Sequence, residues 1–534
     1  MTYFKSFIFI IVTYAVYLRL RHDILCFDAA TFFVLYAAWA LSELVYRLFL
    51  YPRFLTPLKD IPTPKGRKWL TGNTNSYFIE VPYALVQDWI KNIPNRGLIR
   101  YYIVGNFEWL LLTSAEALSE FLVKKNYDFE KPKLLEQLRH IIGDGMVLAE
   151  GDVHKAQRKA FLPAFSSRQI QELQSVFWSK GVNLAKTIEN HLSSTNASDN
   201  TIRVSDWSNS VTLDIIGKAG MGVEFHSLEN AGNALNQAYH KLTTPSTSEK
   251  LLSVLCIIFS CPGFIYKFPT RRNREISEAR QTVRDAARYV IDQSKIDKSS
   301  LERQRDILSV AVRNGKFSEQ GLVEQAMTFL GAGHETMSAA LQWSVYVLCK
   351  HQNVQLRLRE EIRANLPTLS VESPDFLPKT LKSLPYLNAV CSEVLRLYPP
   401  IPKTVRRAVR DTSIVGEFIP KGTLFVIAPR VINRMPELWG SNADEFVPDR
   451  FMASGCSTKG NALSNFSFET FLHGPRSCIA QDFARTELAL LVASITGRFH
   501  MELQCPDAEL QIKETVTMIP SDGVMAKFTP LEGW

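Results

Sequence analysis

The residues with the clearest chemical potential form a short loop near the end of the sequence. The run Phe471-Leu-His-Gly-Pro-Arg-Ser-Cys478-Ile-Ala480 places a cysteine in a tight glycine and proline turn, two residues after Arg476. An apolar helix is predicted from Ala484 to Ile495, so the thiol would lie near the positive end of a helix dipole, which lowers a cysteine pKa. A thiolate there can bind a metal ion. The alternative is an inert cysteine buried in a turn.

A carboxylate and a hydroxyl form a second reactive pair within a long helical segment. Apolar residues recur at helical spacing over 318–350, and Gly331-Ala332-Gly333 interrupts them shortly before Glu335 and Thr336. Each mid-helix glycine costs about 1 kcal/mol relative to alanine, so we expect close approach of a flat ligand or a local opening of the helix. Glu335 and Thr336 beside that opening would form a proton-delivery pair. The alternative is a packing site for small residues with an exposed glutamate.

Three further segments place charged residues at a useful spacing. His154 and Arg158 are four residues apart on a predicted helix, so both face the same way, toward an anion above that face. A solvated basic face is the alternative. Glu393 and Arg396 are three residues apart on another helix. If Arg450 meets this pair, the three side chains form a buried, multiply hydrogen-bonded staple between helix and loop.

Together these segments resemble the cytochrome P-450 superfamily of haem-thiolate monooxygenases, most closely its fungal membrane-bound members. Five motifs in the family's order and spacing carry the resemblance, which covers nearly the whole chain. They are the His154/Arg158 helix, Ala332-Gly-His-Glu-Thr336, Glu393-x-x-Arg396, Pro448-Asp-Arg-Phe451 and Phe471-x-x-Gly474-x-Arg476-x-Cys478-x-Ala480. Ala480 stands where the family usually has glycine, a change that a negative φ would tolerate.

The resemblance implies a haem site around the cysteine loop. Cys478 would be the axial thiolate ligand of the iron in haem b, the iron protoporphyrin IX cofactor. Phe471 would pack beside the sulfur, and Gly474 would allow the tight loop. Arginine suits the haem propionates because its planar fork pairs well with carboxylates. The residues expected to bind the propionates are Arg158, Arg406 and Arg476, with His154 assisting.

The resemblance also implies roles on the other side of the haem and in the fold. Thr336 would hydrogen-bond dioxygen, and Glu335 would relay protons toward it. The structural triad of the fold would be Glu393, Arg396 and Arg450. The substrate pocket would be lined by residues 127–148, 251–268, 329–332, 401–404 and 518–521, where 251–268 would be a lid.

Composition limits the classes of partner. The net charge of +8 over 534 residues is modest and is not concentrated in a basic stripe with interleaved aromatic residues, so nucleic acid is not expected. A basic patch facing an acidic protein or an anionic membrane fits better. The 8 cysteines contain no C-x-x-C pair, which favours a reducing compartment and argues against a zinc site.

The first fifty residues predict attachment to a membrane. A bilayer span needs roughly 20 apolar residues, so the stretch 24–50 can cross, whereas the stretch 4–18 is marginal. One span and two spans both remain open, and a cleaved signal peptide is the alternative for the first stretch alone. We expect the endoplasmic reticulum membrane, with the catalytic domain facing the cytosol.

The rest of the chain predicts a single large domain. We expect an anchor at 1–51, a proline-rich hinge at 52–70 and a haem-thiolate monooxygenase domain at 71–534. A β-hairpin is predicted at 100–113, helical periodicity dominates thereafter, and β-type segments return at 404–431 and after Phe499. The fold class is therefore mainly α with small peripheral β-sheets, the cytochrome P-450 fold.

The implied function is insertion of one oxygen atom from dioxygen into an apolar small molecule, in fungal secondary metabolism. Electrons would come from a separate NADPH-cytochrome P-450 reductase, since little chain follows Cys478, and cytochrome b5 is a second expected partner. Two alternatives remain: a haem-thiolate isomerase or dehydratase that needs no reductase, and a non-catalytic haem- or lipid-binding protein. Glu335 and Thr336 argue against both.

Overall fold

Helices carry most of the described residues of this computed structural model, as the sequence periodicity predicts. The described residues are 29–68, 71–74, 83–132, 135, 138–194, 200–230, 232–244, 270–296, 306–313, 315–370, 381–452, 460–507 and 510–534. The predicted lid at 251–268 and the first apolar stretch at 4–18 lie outside them.

The α-helices of the described residues vary from one turn to 32 residues in length. They are α1 (Ala29–Val45), α2 (Tyr83–Asn92), α3 (Ala115–Ser119), α4 (Arg139–Ile142), α5 (Gly151–Phe161), α6 (Ser167–Ser194), α7 (Val204–Ile215), α8 (Ala234–Thr243), α9 (Arg271–Ile296), α10 (Ile307–Arg313), α11 (Glu319–Lys350), α12 (Gln352–Asn365), α13 (Pro385–Leu397), α14 (Pro429–Ile432), α15 (Pro436–Trp439) and α16 (Gln481–Arg498).

The strands are short and form small sheets beside the helices. They are β1 (Leu98–Tyr102), β2 (Glu108–Leu112), β3 (Phe129–Glu130), β4 (Thr201–Arg203), β5 (Thr404–Ala408), β6 (Thr412–Ile414), β7 (Glu417–Ile419), β8 (Leu424–Ile427), β9 (Phe499–Leu503), β10 (Ile512–Glu514), β11 (Met518–Pro520) and β12 (Met525–Pro530). The largest sheet has the order β1-β2-β8-β5-β3. The others are β4-β12-β9, β6-β7 and β10-β11. The predicted mainly α fold class is therefore confirmed.

The predicted hairpin at 100–113 is present, and its sheet separates two apolar clusters. β1 and β2 pair antiparallel, with Leu98 opposite Leu112, and Gly105 takes a φ of 77° in the turn. Side chains alternate between the two faces of a strand. In β5, Val405 accordingly packs on the outer cluster beside α2, whereas Arg406 points to the opposite face and is buried there.

Helix α11 runs through the centre of the fold without a break at its glycines. Ser318 caps its first turn by accepting a hydrogen bond from the N–H of Gly321 at 3.1 Å. A Cβ at Gly331 would lie 2.8 Å from Ile142, and one at Gly333 would lie 2.7 Å from Ile216. The predicted opening of the helix is therefore wrong. The glycines admit these isoleucine side chains, as the small-residue packing alternative expects, but Glu335 is partly buried and not exposed as that alternative requires. The expected approach of a flat ligand stays a prediction.

The N-terminal helix meets the requirement for a membrane span. Val34–Leu55 is the helix, among the described residues, that is long and apolar enough to cross a bilayer. Its second part, Tyr46–Leu55, is wound as a π-helix containing Pro52, and it docks on the hairpin. The Tyr102 hydroxyl donates to the carbonyl of Pro52 at 3.0 Å, and the Asn106 amide donates to the carbonyl of Leu48 at 3.0 Å.

The three predicted triad residues meet in a buried cluster. Arg396 donates to Glu393 through Nε at 2.7 Å and Nη2 at 2.8 Å, and the Arg450 Nε lies 3.3 Å from the same carboxylate. Arg396 also donates to the backbone carbonyls of Asn433 and Ala443. Glu393 and Arg396 are both fully buried. The charges are therefore paired and their remaining hydrogen-bonding positions are filled, which a buried ion pair requires.

A buried asparagine connects this cluster to the segment that precedes the cysteine loop. The Asn433 side chain donates to the carbonyl of Arg396 at 3.0 Å and to the hydroxyl of Thr470 at 2.8 Å, and it accepts from the N–H of Glu469 at 2.7 Å. The Thr470 hydroxyl in turn donates to the carbonyl of Leu395 at 2.7 Å. The start of the loop is thus held against α13.

We predict that Arg396→Ala destabilises the protein by about 3–5 kcal/mol, because it leaves the buried Glu393 carboxylate without its main partner. The free energy of unfolding in urea measures this. Arg168→Ala is the matched control, since Arg168 pairs with Glu172 at 3.4 Å on an exposed helix face. That pair should contribute less than about 1 kcal/mol. Equal losses in the two variants would contradict the role of the cluster.

Candidate functional site

The cysteine loop is a rigid turn held by its own backbone. The N–H of Cys478 donates to the carbonyl of Phe471 at 2.8 Å, and the N–H of Ser477 donates to the carbonyl of Gly474 at 3.0 Å. Gly474 has a φ of 76°, and a Cβ there would lie 2.1 Å from the carbonyl oxygen of Leu122. Both the backbone conformation and the close approach therefore require glycine.

The thiol of Cys478 is accessible, although protein atoms surround it on most sides. Burial raises its pKa, while the N–H of Ala480 and the guanidinium of Arg158 oppose that shift. The predicted lowering of this pKa is wrong for the protein alone, because desolvation outweighs the nearby positive groups. Ala480 has a φ of −94°, so its side chain is accommodated without strain, as expected.

Phe471 contributes to the loop through its backbone and its ring. Its carbonyl accepts the hydrogen bond from Cys478, and its ring stacks against Phe468 with centroids 6.3 Å apart. The guanidinium of Arg485 lies 5.2 Å from the centroid of the Phe471 ring. The ring is thereby fixed between an aromatic and a cationic neighbour.

The predicted propionate-binding residues gather beside this loop. On α5, Arg158 donates to the carbonyl of Ser477 at 2.7 Å and to its hydroxyl at 3.3 Å. Arg476 lies 2.6 Å from Glu150, and buried Arg406 donates to the hydroxyl of Thr404 at 2.9 Å. Helix α5 is therefore docked on the residue that precedes the cysteine.

Lys131 and Glu150 also belong to this group, and the sequence interpretation missed both. Lys131 donates to Glu150 at 3.2 Å, and burial, with Arg406 nearby, lowers the pKa of Lys131 to about 8. Burial lowers the pKa of Arg406 to about 10. No sequence motif marks Lys131 or Glu150. The backbone places Lys131 here because β3, which ends just before it, pairs with β5, which carries Arg406, and it places Glu150 here because that residue directly precedes α5.

Positive charge exceeds negative charge in this cluster. Burial, then the positive charges of Lys131, Arg476 and Arg158, lower the pKa of His154 to about 4, so its ring is neutral at pH 7. Among the described residues, its Nδ1 and the Nε of Arg476 have no hydrogen-bond partner. Unpaired buried donors are costly. The donor set therefore suits a ligand that carries carboxylates, and the haem propionates meet that requirement.

The second reactive pair lies on α11. The Thr336 hydroxyl donates to the carbonyl of Ala332 one turn earlier at 2.8 Å. The Glu335 carboxylate is partly buried and accepts a hydrogen bond from the hydroxyl of Thr517 at 3.0 Å. Burial raises the pKa of Glu335 to about 7, and the Thr517 hydrogen bond limits the rise. Sequence reasoning missed Thr517, because no motif links it to a residue so far away in the chain.

The structure keeps the two halves of the site apart. Within the described residues, no hydrogen bond or ion pair joins Glu335 or Thr336 to the loop of Cys478. The thiol lies on the loop that precedes α16, and the carboxyl and hydroxyl lie on α11. A thiol with a carboxylate-binding cluster on one side, and an acid–alcohol pair on a separate helix, is an arrangement suited to a haem between them.

Comparison with known proteins decides the family. The family model described as cytochrome P-450 matches residues 68–528. The chain belongs to the cytochrome P-450 family. It is similar to the cytochrome P-450 monooxygenase sphH of Aspergillus fumigatus, with 50% identity over 511 residues covering 95% of this chain and 94% of the relative. The protein is therefore a P-450 monooxygenase, a haem-dependent enzyme that uses dioxygen.

Other relatives support the same assignment across the chain. The monooxygenase ALT8 of Alternaria alternata is 38% identical, covering 92% of each protein. The monooxygenase FUM15 of Gibberella moniliformis is also 38% identical, covering 87% of this chain and 86% of the relative. These matches favour a monooxygenase of fungal secondary metabolism. Neither a haem isomerase nor a non-catalytic binding protein receives support from them.

We predict that Gly474→Ala destabilises this P-450 far more than Gly416→Ala. Both glycines have a positive φ, 76° and 82°, but a Cβ at Gly416 meets nothing within 4 Å. Gly416→Ala should therefore cost about 1–2 kcal/mol for its backbone alone. Gly474→Ala should cost a further 1–3 kcal/mol or so from the clash with Leu122.

Thermal unfolding followed by circular dichroism measures both variants. Equal shifts of the melting temperature would mean that the contact with Leu122 is not required.

Proposed function

We propose that this P-450 binds haem b through Cys478, takes electrons from NADPH through a separate reductase, and oxidises an apolar small molecule at the endoplasmic reticulum membrane. Its catalytic domain faces the cytosol, and cytochrome b5 is a second electron donor. The domain boundaries proposed are an anchor at 1–51, a hinge at 52–70 and a catalytic domain at 71–534.

The observation that carries the haem assignment is the excess of buried positive charge beside the cysteine loop. Lys131, Arg158, Arg406 and Arg476 lie in one group around His154 and Glu150. Within the described part of the chain, Glu150 is the carboxylate that pairs with Lys131 and Arg476. Burying cations without counter-charge is unfavourable. Two propionates would supply that counter-charge, and Cys478 is the thiol of the adjacent loop that would hold the iron.

The haem would supply the activation of dioxygen and the oxidation of the substrate. The chain's own residues would bind and orient it. Cys478 would ligate the iron, and a metal-bound thiol is deprotonated. Arg158 would bind a propionate. It would also hold the cysteine loop, because it already donates a hydrogen bond to the carbonyl of Ser477. His154, whose Nδ1 has no hydrogen-bond partner in the described residues, would offer a neutral donor to a propionate.

The acid–alcohol pair on α11 would move protons. With a pKa of about 7, Glu335 would accept and release a proton near neutral pH, as a relay requires. Thr336 would present its hydroxyl to the dioxygen-binding side of the haem, while its bond to Ala332 keeps the hydroxyl oriented along the helix. The triad of Glu393, Arg396 and Arg450 would stabilise the fold and take no direct part in the reaction.

The membrane assignment rests on the N-terminal helix and its docking. Val34–Leu55 is exposed along most of its length, apolar and long enough to span a bilayer. The contacts of Leu48 and Pro52 with the hairpin fix the position of the body relative to that helix. An anchored body would draw an apolar substrate from the lipid phase.

We predict that Thr336→Ala lowers the product formed per NADPH by at least about tenfold, since a positioned proton-transfer group contributes roughly 10²–10⁴-fold to the rate of its step. Hydrogen peroxide release per NADPH should rise by the complementary amount. Both are measured in microsomes that contain the reductase. The substrate is the precursor that accumulates in a deletion strain.

Ser344→Ala is the matched control on the same helix. The Ser344 hydroxyl donates to the carbonyl of Ala340 at 2.8 Å, the same local bond that Thr336 makes, but two turns farther along. Its removal should leave the product yield unchanged. If Thr336→Ala behaves like Ser344→Ala, Thr336 has no part in proton delivery.

A further inference from the structure

We infer that Thr517 is a positioning residue that holds the Glu335 carboxylate in place for proton relay. The inference rests on the proposed role of Glu335. It adds a residue from a different part of the chain, in the turn of the β10–β11 hairpin, to the acid–alcohol pair on α11.

A direct hydrogen bond carries the inference. The Thr517 hydroxyl donates to Oε1 of Glu335 at 3.0 Å, and Thr517 is only 1% exposed. A buried hydroxyl bonded to a carboxylate restricts its rotation and favours its charged form. Glu335 is therefore held by the hairpin, whereas its neighbour Thr336 is held by its own helix.

The β10–β11 hairpin is fixed to α11, so the Thr517 hydroxyl keeps its position relative to Glu335. The Trp343 indole N–H, two turns beyond Glu335, donates to the carbonyl of Met518 at 2.8 Å. The N–H of Met518 donates to the carbonyl of Pro400 at 2.9 Å, and the N–H of Thr515 donates to the carbonyl of Thr517 at 3.0 Å. Three hydrogen bonds, two between backbone groups and one from the Trp343 side chain, thus fix the backbone on either side of the Thr517 hydroxyl.

Two titratable groups near Glu335, Tyr239 and His334, are neutral around pH 7. Tyr239 of α8 interacts with Glu335 electrostatically, and burial raises the pKa of its phenol. Burial lowers the pKa of His334, the preceding residue on α11, to about 4. In the described part of the chain, Thr517 is therefore the hydrogen-bonding partner through which a neighbouring element acts on the carboxylate.

The expected consequence is a change in where Glu335 titrates. The hydroxyl of Thr517 stabilises the carboxylate, and burial opposes it, which together leave the pKa at about 7. Loss of the hydroxyl removes the stabilising contribution, so the carboxyl stays protonated to higher pH. A group that holds its proton too firmly relays protons poorly near neutral pH.

Infrared spectroscopy of the full-length holoenzyme against pH tests this directly. The C=O stretch of a protonated carboxyl reports the titration, and its loss in Glu335→Gln assigns the band. We expect the midpoint near 7 in the wild type and in Thr517→Ser. Thr517→Val should raise it by about one pH unit, since it keeps the shape and removes the donor.

Two further variants sharpen the comparison. Tyr239→Phe should leave the midpoint unchanged, because the phenol is neutral in this range. Thr517→Ala removes the same hydroxyl with a smaller side chain and should reproduce the shift of Thr517→Val. A midpoint in both hydroxyl-free variants equal to that of Thr517→Ser would overturn the inference.

Product yield per NADPH separates this inference from the proposed function. If Glu335→Gln leaves the yield unchanged, Glu335 is not a relay and the proposed role fails, whatever Thr517 does. If Glu335→Gln lowers the yield, Thr517→Val should lower it most between about pH 7 and 8, where only the wild-type carboxyl is largely ionised, and Thr517→Ser should restore it. A wild-type pH profile in Thr517→Val would then contradict the positioning role.

Discussion

The buried ion pair between Glu393 and Arg396 is the interaction on which the haem side of the structure depends. Arg396 satisfies both the carboxylate and the backbone carbonyls of Asn433 and Ala443, so the loops that follow the sheet are fixed to α13. The side chain of Asn433 extends this hold to Glu469 and Thr470. The cysteine loop begins at the next residue, Phe471. Its geometry is therefore set by these contacts with Arg396 and Asn433 as well as by Gly474.

A second constraint is the concentration of buried positive charge beside that loop. Arg158 ties α5 to Ser477, and Arg476 reaches back to Glu150, so two elements distant in sequence meet at the cysteine. The arrangement is unfavourable for the protein alone, because the cations outnumber their carboxylate partners. A ligand with two carboxylates would make it favourable, and haem binding would then be coupled to the stability of this part of the fold.

The sequence predicts the parts of the site that are local or that recur as motifs. Glu393 and Arg396 are three residues apart on one helix, and Phe471 to Ala480 is a single loop, so their chemistry is readable directly. Lys131, Asn433 and Thr517 are not, because each acts through a contact with a residue far away in the chain. The spacing of residues along the sequence does not show which distant residues are in contact in the folded chain.

Physical context also changed two interpretations. The glycines of α11 suggested a broken helix, but Ile142 and Ile216 fill the space that their missing side chains leave. A cysteine ahead of a helix suggested a lowered pKa, but desolvation by the surrounding protein dominates. Both depend on tertiary packing that a single sequence does not display. Helix spans and the hairpin depend on local patterning, and these were predicted well.

The most direct test of the central claim is the absorption spectrum of the reduced, carbon monoxide-treated protein. With Cys478 as the thiolate ligand, the Soret band lies at the wavelength characteristic of thiolate-ligated haem. Cys478→Ser abolishes that band while Arg396 and its neighbours keep the protein folded. A Soret band at the position typical of a nitrogen ligand, or one that survives unchanged in Cys478→Ser, would contradict the account.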